Sequence, residues 1–200
     1  YPTLLFNAML NPLIPFAFKG VIWYQGESNA GRAYQYRKAF PLMITDWRKH
    51  WGVGDFPFYF VQLSSFNSGN GNSVYGSTWA ELREAQTMTL SLPNTGMAVT
   101  TDIGDAKDIH PKNKQDVGKR LAAIALNKTY GIAGEYSGPL YESIRTDGNK
   151  AIISFTHAGG LMVKDKYGYI KGFEIAGADH QFHYAKAMID GDKIIVWQMA

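Results

Sequence analysis

Two hundred residues, 46% of them hydrophobic and 14% aromatic, fill one domain, or one domain and part of a second. A formal charge of +3 carried by scattered positive residues argues against a nucleic-acid or anionic-membrane surface; Lys112–Lys114 with Lys119 and Arg120 read as a solvated helix face. The absence of cysteine excludes disulfides and thiol chemistry without fixing the compartment, and no apolar stretch is long enough to span a bilayer.

The sequence opens at Tyr1-Pro2 with neither Met nor a signal peptide, and so reads as cut from something longer, or processed. Thr3–Pro15 is a short apolar segment broken at Pro12 and Pro15, which predicts one or two helical turns. Gly20–Tyr24 is a β-branched and aromatic run that suits a strand buried on both faces of a parallel sheet. It stops at the polar turn Gln25-Gly26-Glu27-Ser28-Asn29, and a helix is expected from about Arg32. Tyr36, Phe40, Met43, Trp47 and Trp51 recur at helical steps and form its apolar stripe, with a kink expected at Pro41 and an end at Gly52.

Pro57–Leu63 reads as a second buried strand, and the Ser-, Asn- and Gly-rich Ser64–Gly76 as a long loop that helps shape a pocket. Thr78 and Glu81 fit a capping box opening a helix with Trp79, Leu82 and Gln86 on one line. Gly96–Thr101 is a third strand and Asp102–Pro111 a second polar turn at a strand end. Asn113 can cap a helix whose buried positions are Val117, Leu121, Ile124 and Ala125. Strand and helix thus alternate up to Tyr130, which predicts an α/β fold with a parallel sheet. Beyond Gly131, Lys150–His157, Tyr169–Ala176 and Lys193–Met199 are short strands separated by glycines, the pattern of antiparallel β structure. A boundary near Glu135–Ser143 divides residues 1–135 from a β-rich region, 136–200, that looks truncated.

In α/β sheets ligands bind at the carboxyl ends of the strands. Two polar strand ends therefore face one edge: Gln25, Glu27, Ser28 and Asn29 on the first, Asp105, Asp108 and His110 on the second. A histidine beside carboxylates suits a general base oriented by an acid, and the Gln25 or Asn29 amide suits donation to a developing oxyanion. Plainer readings stand beside these. His110 before Pro111 could sit in a loop and cap the helix, Glu27 could only favour a helix dipole, and Asn29 could be an N-cap. Trp23, Trp47, Trp51 and Trp79 read as core rather than a sugar platform, and His180 and His183 as surface. Asp102, Asp105 and Asp108 lack the distal Glu of a calcium loop. Gly26-Glu27-Ser28-Asn29-Ala30 on a strand–turn–helix also fits a nucleophile elbow with Ser28 as nucleophile, although Ala replaces Gly at its fifth position.

Ile22–Ala30 and Asp108–Pro111 resemble two signature blocks of the sialate O-acetylesterase and acetylxylan-esterase-like carbohydrate esterases of the SGNH hydrolase superfamily. Thr3–Pro12, Trp79–Gln86, Asp108–Leu121 and Ser137–Asp192 are similar to family sequence as well, so the resemblance covers nearly the whole chain. It implies a flavodoxin-like three-layer α/β/α sandwich, incomplete at the N-terminus, with 1–135 as the later part of the catalytic domain and 136–200 as an appended β region. It also implies removal of acetyl groups from sugars through an acyl-enzyme, without a cofactor or metal. On that resemblance His110 is the general base, Asp108 or Glu27 its orienting acid, and Gln25, Gly26, Ser28 and Asn29 the oxyanion and substrate side.

The family's nucleophilic Ser sits in a Gly-Gln-Ser-like block that has no counterpart here, and is expected upstream of Tyr1. Without the strand that carries it, Val21, Ile22 and Trp23 would lie on an open sheet edge, ready to pair with that missing segment or with a second copy. The implied partner is an acetylated sugar or glycan, with sialic acid, xylan and others all open, and no nucleic acid or membrane. Family members often work outside the cytoplasm. A complete serine esterase using Ser28 and a non-catalytic sugar-binding module remain as alternatives.

Overall fold

The computed structural model describes residues 3–66, 75–163 and 170–198. Tyr1-Pro2, most of the Ser64–Gly76 loop, Tyr169 at the head of one expected strand and Met199 at the end of another lie outside the described residues. The chain divides into two compact units, residues 1–67 with 78–136 and residues 68–77 with 137–200.

In the first unit a π-helical turn, Phe6–Leu10, and a 3-10 turn, Asn11–Leu13, precede β1, Val21–Trp23. A 3-10 turn over Glu27–Arg32 leads into α1, Ala33–Trp51. There follow β2 (Phe58–Val61), α2 (Thr78–Met88), β3 (Thr95–Ala98) and α3 (Lys114–Lys128). The three strands pair in parallel in the order β1-β2-β3, with Ile22 opposite Tyr59 and Tyr59 opposite Gly96. Every residue of β2 and β3 is buried. Side chains alternate across the sheet. Phe58, Phe60 and Gln62 face α1 and α2, where Phe40 packs its ring on both phenylalanines and Gln62 Nε2 donates to the Arg83 carbonyl. Tyr59 and Val61 face α3 and form a core with Ala98, Val117, Leu121 and Ile124. Helices thus cover both faces of a parallel sheet, the α/β architecture expected.

The helix ends follow their local chemistry. Gly52 adopts a left-handed φ of 65° and its N–H closes α1 on the Arg48 carbonyl, while the Asn113 side chain accepts the Asp116 N–H at the start of α3. α1 continues through Pro41, whose missing N–H leaves the Arg37 carbonyl without its intrahelical donor. Its fully buried line is Ala33, Tyr36, Phe40, Ile44 and Arg48, so Met43, Trp47 and Trp51 flank the stripe rather than centre it. Arg48 is buried because its guanidinium serves the carbonyls of Phe56 and Pro93 at the entry to β2 and β3.

β1 departs from the expectation of burial on both faces. Among the described residues it pairs only with β2, and Ile22 is 71% exposed. The reason is the path of α3, which packs on β2 and β3 and leaves that face of β1 uncovered. On the opposite face Trp23 packs on Phe40, Trp47 and Phe58.

The second unit contains a four-stranded antiparallel sheet in the order β4-β5-β9-β8, formed by Leu140–Asp147, Lys150–Thr156, Lys193–Trp197 and Lys186–Asp190. Glu174–Ile175 (β6) and His183–Tyr184 (β7) pair separately. Ala151, Ala187, Ile194 and Val196 form its core. Neither β4 nor β8 was expected. β4 is an edge strand exposed over nearly its whole length, so it carries no apolar alternation to read.

Candidate active site

Parallel pairing brings the carboxyl ends of β1 and β3 to one edge, with β2 between them. At the end of β1 the chain turns sharply. Gly26 has φ 150°, and a Cβ there would meet Leu82 Cδ2 at 3.1 Å and Gln86 Nε2 at 3.2 Å, so the turn passes close over α2. The Asn29 N–H closes it on the Gly26 carbonyl at 2.8 Å.

Gln25 is held from three sides. Its Nε2 donates to Asn29 Oδ1 at 2.7 Å, its Oε1 accepts the Tyr36 hydroxyl at 3.0 Å, and its main-chain carbonyl accepts Gln86 Nε2 at 3.2 Å. Burial pushes the Tyr36 phenol from 10.0 up to about 12; the neighbouring Trp23 indole pulls it down, and the Glu27 charge adds to the rise. The indole N–H does not reach hydrogen-bond geometry, and Trp23 Nε1 stays buried without a partner among the described residues. A raised phenol favours the neutral fold below pH 10, and that contribution to stability is lost as pH rises from 10 through about 12. At any ordinary pH Tyr36 therefore keeps its proton and can donate it to Gln25.

Gln86 is 1% exposed, yet polar. Its Oε1 accepts the Leu63 N–H at 2.9 Å, and its Nε2 also reaches the Val61 carbonyl at 3.3 Å. One side chain of α2 thus ties the exit of β2 to the exit of β1.

The loop after β3 is anchored at its near end. Arg120 grips Asp102 through two hydrogen bonds, 2.6 and 2.7 Å, which pull the guanidinium further into its charged form. Ser65 Oγ donates to the Thr101 carbonyl at 2.6 Å. Gly104 presses on the Ser65 backbone so closely that a Cβ would overlap it. Asp105 spends its carboxylate on the Lys107 N–H at 2.8 Å.

Asp108 is different. One oxygen accepts the His110 main-chain N–H at 2.8 Å and lies 3.6 Å from His110 Nδ1, an ion-pair rather than a hydrogen-bond distance. The His110 side chain is 89% exposed and that of Asp108 41%. The imidazole is thus set beside a carboxylate while its ring stays open to an incoming group.

Of the residues singled out in the sequence, the structure brings Asp108 to His110 and Asn29 to Gln25. Among the described residues it forms no ion pair between Glu27 and His110 and no hydrogen bond to the Ser28 hydroxyl. Glu27 instead lies in the first turn of the 3-10 segment, and its charge acts on Tyr36. The two halves meet through Tyr24, which packs against the core under α3 and receives the Lys114 ammonium 5.0 Å from its ring centre. From the sequence Tyr36 and Gln86 read only as positions on helical lines, with no role in the site. Their signal was there: a hydroxyl and an amide on the buried lines of α1 and α2.

A cavity of about 1100 Å³ lies within the second unit, lined by Phe173, Glu174, His180 and Phe182 among others. Gln25, Asp108 and His110 are not among the residues that line it.

Comparison with known proteins gives concordant results. The family model described as "Carbohydrate esterase, sialic acid-specific acetylesterase" matches residues 5–127. The chain is similar to the sialate O-acetylesterase of Mus musculus, 37% identical over 81% of this chain and 33% of that protein. It is similar to that of Rattus norvegicus at 36% identity over 94% of this chain and 38% of that protein. It thus spans between a third and two-fifths of those relatives' lengths. A crystal structure of a carbohydrate acetylesterase from Xanthomonas citri superposes with a TM-score of 0.91 at 50% identity, covering 98% of this chain and 46% of that one.

Proposed function

Since the chain belongs to the carbohydrate esterase family of sialic acid-specific acetylesterases, we propose that it supplies the base, the orienting acid and an oxyanion donor for removing O-acetyl groups from a sugar. The observation that carries this reading is the Asp108–His110 pair, 3.6 Å from carboxylate to Nδ1, at the sheet edge that also presents Gln25. The names of the rodent relatives favour an acetylated sialic acid as the sugar.

In this mechanism His110 takes the proton of a serine hydroxyl as the serine oxygen attacks the acetyl carbonyl. Negative charge collects on the former carbonyl oxygen, and a Gln25 Nε2–H meets it. His110 then gives its proton to the departing sugar oxygen, and the acetyl group stays on the serine. Water, deprotonated by the same imidazole, attacks the acyl carbon; the bond to the serine oxygen breaks, His110 returns the proton to that oxygen, and acetate leaves. Asp108 holds the ring and stabilises its charged form, as the acid does in a Ser-His-acid triad.

The serine comes from a segment upstream of Tyr1, so that residues 1–135 are the later part of the catalytic domain and 136–200 an appended β region. Two features support this. The His110 ring is open to an approaching group, and the Ser28 hydroxyl has no hydrogen-bond partner among the described residues that would polarise it. The competing reading makes Ser28 the nucleophile, on the strength of its strand–turn–helix setting. The chain alone, shown folded by circular dichroism, is expected not to release acetate from 4-nitrophenyl acetate until the upstream segment is supplied. Ser28→Ala in the full-length enzyme is expected to keep at least about a tenth of kcat/KM. Turnover by the chain alone that vanishes in Ser28→Ala would move the nucleophile to Ser28.

Among the described residues one edge of β1 is unpaired. Unpaired strand edges recruit other strands, and the exposed Ile22 adds an apolar contact. In isolation the chain is expected to self-associate through β1, and Ile22→Lys to shift it toward monomer in light scattering. A monodisperse monomer of the unaltered chain would end that proposal.

A further inference from the structure

We propose that Tyr36 is a positioning residue for the oxyanion donor: its hydroxyl fixes the Gln25 amide so that Nε2, not Oε1, is presented to the reacting carbonyl. The inference rests on the reading of Gln25 as that donor and adds what makes the donor usable.

The problem is one of orientation. A glutamine amide carries an acceptor and a two-proton donor on nearly isosteric ends. Turned one way it stabilises an oxyanion; turned the other it places a carbonyl dipole against the developing charge and opposes the reaction. Gln25 lies at a strand end, on a flexible side chain, and its own sequence does not choose between the two.

The surroundings choose. The Tyr36 hydroxyl donates to Oε1 at 3.0 Å, and its approach to the Gln25 main-chain carbonyl, 3.5 Å, places the same proton between two oxygens of one residue. An oxygen is thus favoured on the Tyr36 side of the amide. Nε2 then points to Asn29 Oδ1, where one of its protons is taken at 2.7 Å. The second Nε2 proton has no partner among the described residues and is left to donate. Gln86 Nε2 pins the main-chain carbonyl of the same residue, so the amide swings from a fixed root.

Tyr36 can do this because of where α1 puts it. The residue is buried on the line that packs the helix on the sheet, with its ring 5.1 Å from that of Phe40. Burial locks the rotamer, so the hydroxyl is aimed by core packing rather than by the loop it serves. The Tyr36 hydroxyl thus couples the packed core to the Gln25 side chain.

The test is a double-mutant cycle in the full-length enzyme, with Tyr36→Phe, Gln25→Ala and the pair, read as kcat and KM for an acetylated sugar beside the urea midpoint. Tyr36→Phe keeps the ring and its packing and removes only the hydroxyl. It is expected to lower kcat about tenfold with KM changed less than about twofold; Gln25→Ala is expected to lower kcat about a hundredfold. In the double variant kcat should equal that of Gln25→Ala, because Tyr36 has then nothing left to orient. A fall in the urea midpoint of Tyr36→Phe with kcat unchanged would reduce Tyr36 to a core residue and overturn the proposal. Full additivity of the two losses would overturn it as well. If Gln25→Ala itself leaves kcat intact, the reading of Gln25 as donor fails first, and the proposal with it.

Discussion

Replacing His110 with alanine in the full-length enzyme is expected to lower kcat/KM for an acetylated sugar by about a thousandfold, with little loss of stability. The size follows from the double duty that the proposed mechanism gives it, in which the same imidazole takes the nucleophile's proton and returns it to the sugar oxygen. The small stability cost follows from exposure: the ring packs against nothing that its removal would leave empty. Asp108→Asn should cost about thirtyfold, because an amide still accepts the His110 main-chain N–H but no longer stabilises the imidazolium. Glu27→Gln should cost less than about fivefold, since Glu27 forms no ion pair with His110 among the described residues. The ratio of these last two effects is the informative number. If Glu27→Gln proves the more damaging, Glu27 orients the base and the Asp108 contact only shapes the loop.

The architecture was legible where local chemistry and tertiary packing agree. Gly52 ends α1, Asn113 caps α3, and the apolar runs of β2 and β3 are buried residue by residue. It was less legible where tertiary structure overrides a pattern. The run Val21-Ile22-Trp23 reads as a doubly buried strand, yet Ile22 is exposed, because burial of a strand depends on which neighbours lie beside it and not on its own residues. β4 failed for the opposite reason, being held by pairing with β5 through a sequence with no buried face. The polar strand ends were likewise visible as candidates, and the Asp108–His110 spacing makes their contact a local matter. The choice between Asp108 and Glu27 was not visible, since it depends on where a turn after β1 and a loop after β3 direct their side chains. Tyr36 and Gln86 are legible only in retrospect. A polar atom on an apolar helical line announces that something buried must bond to it, but not what.

Gln86 gives that last point its sharpest test. Gln86→Leu is expected to destabilise the fold by about 3 kcal/mol, roughly 10 °C in Tm, although leucine is close in volume and suits the apolar line of α2. Leucine cannot accept the Leu63 N–H, and Leu63 is itself almost fully buried, so that donor would be stranded away from water. The Gln25 and Val61 carbonyls lose their donor at the same stroke. Activity should fall further than stability alone accounts for. The Gln25 main chain, released from α2, would let the amide drift from the direction that Tyr36 and Asn29 set. Measured at a temperature where the variant is fully folded, kcat is expected about tenfold below the parent. A loss below about 1 kcal/mol for Gln86→Leu would mean that the Leu63 N–H finds another acceptor. The buried amide would then be a passive filler of the core, and the link from α2 to the proposed oxyanion donor would be lost with it.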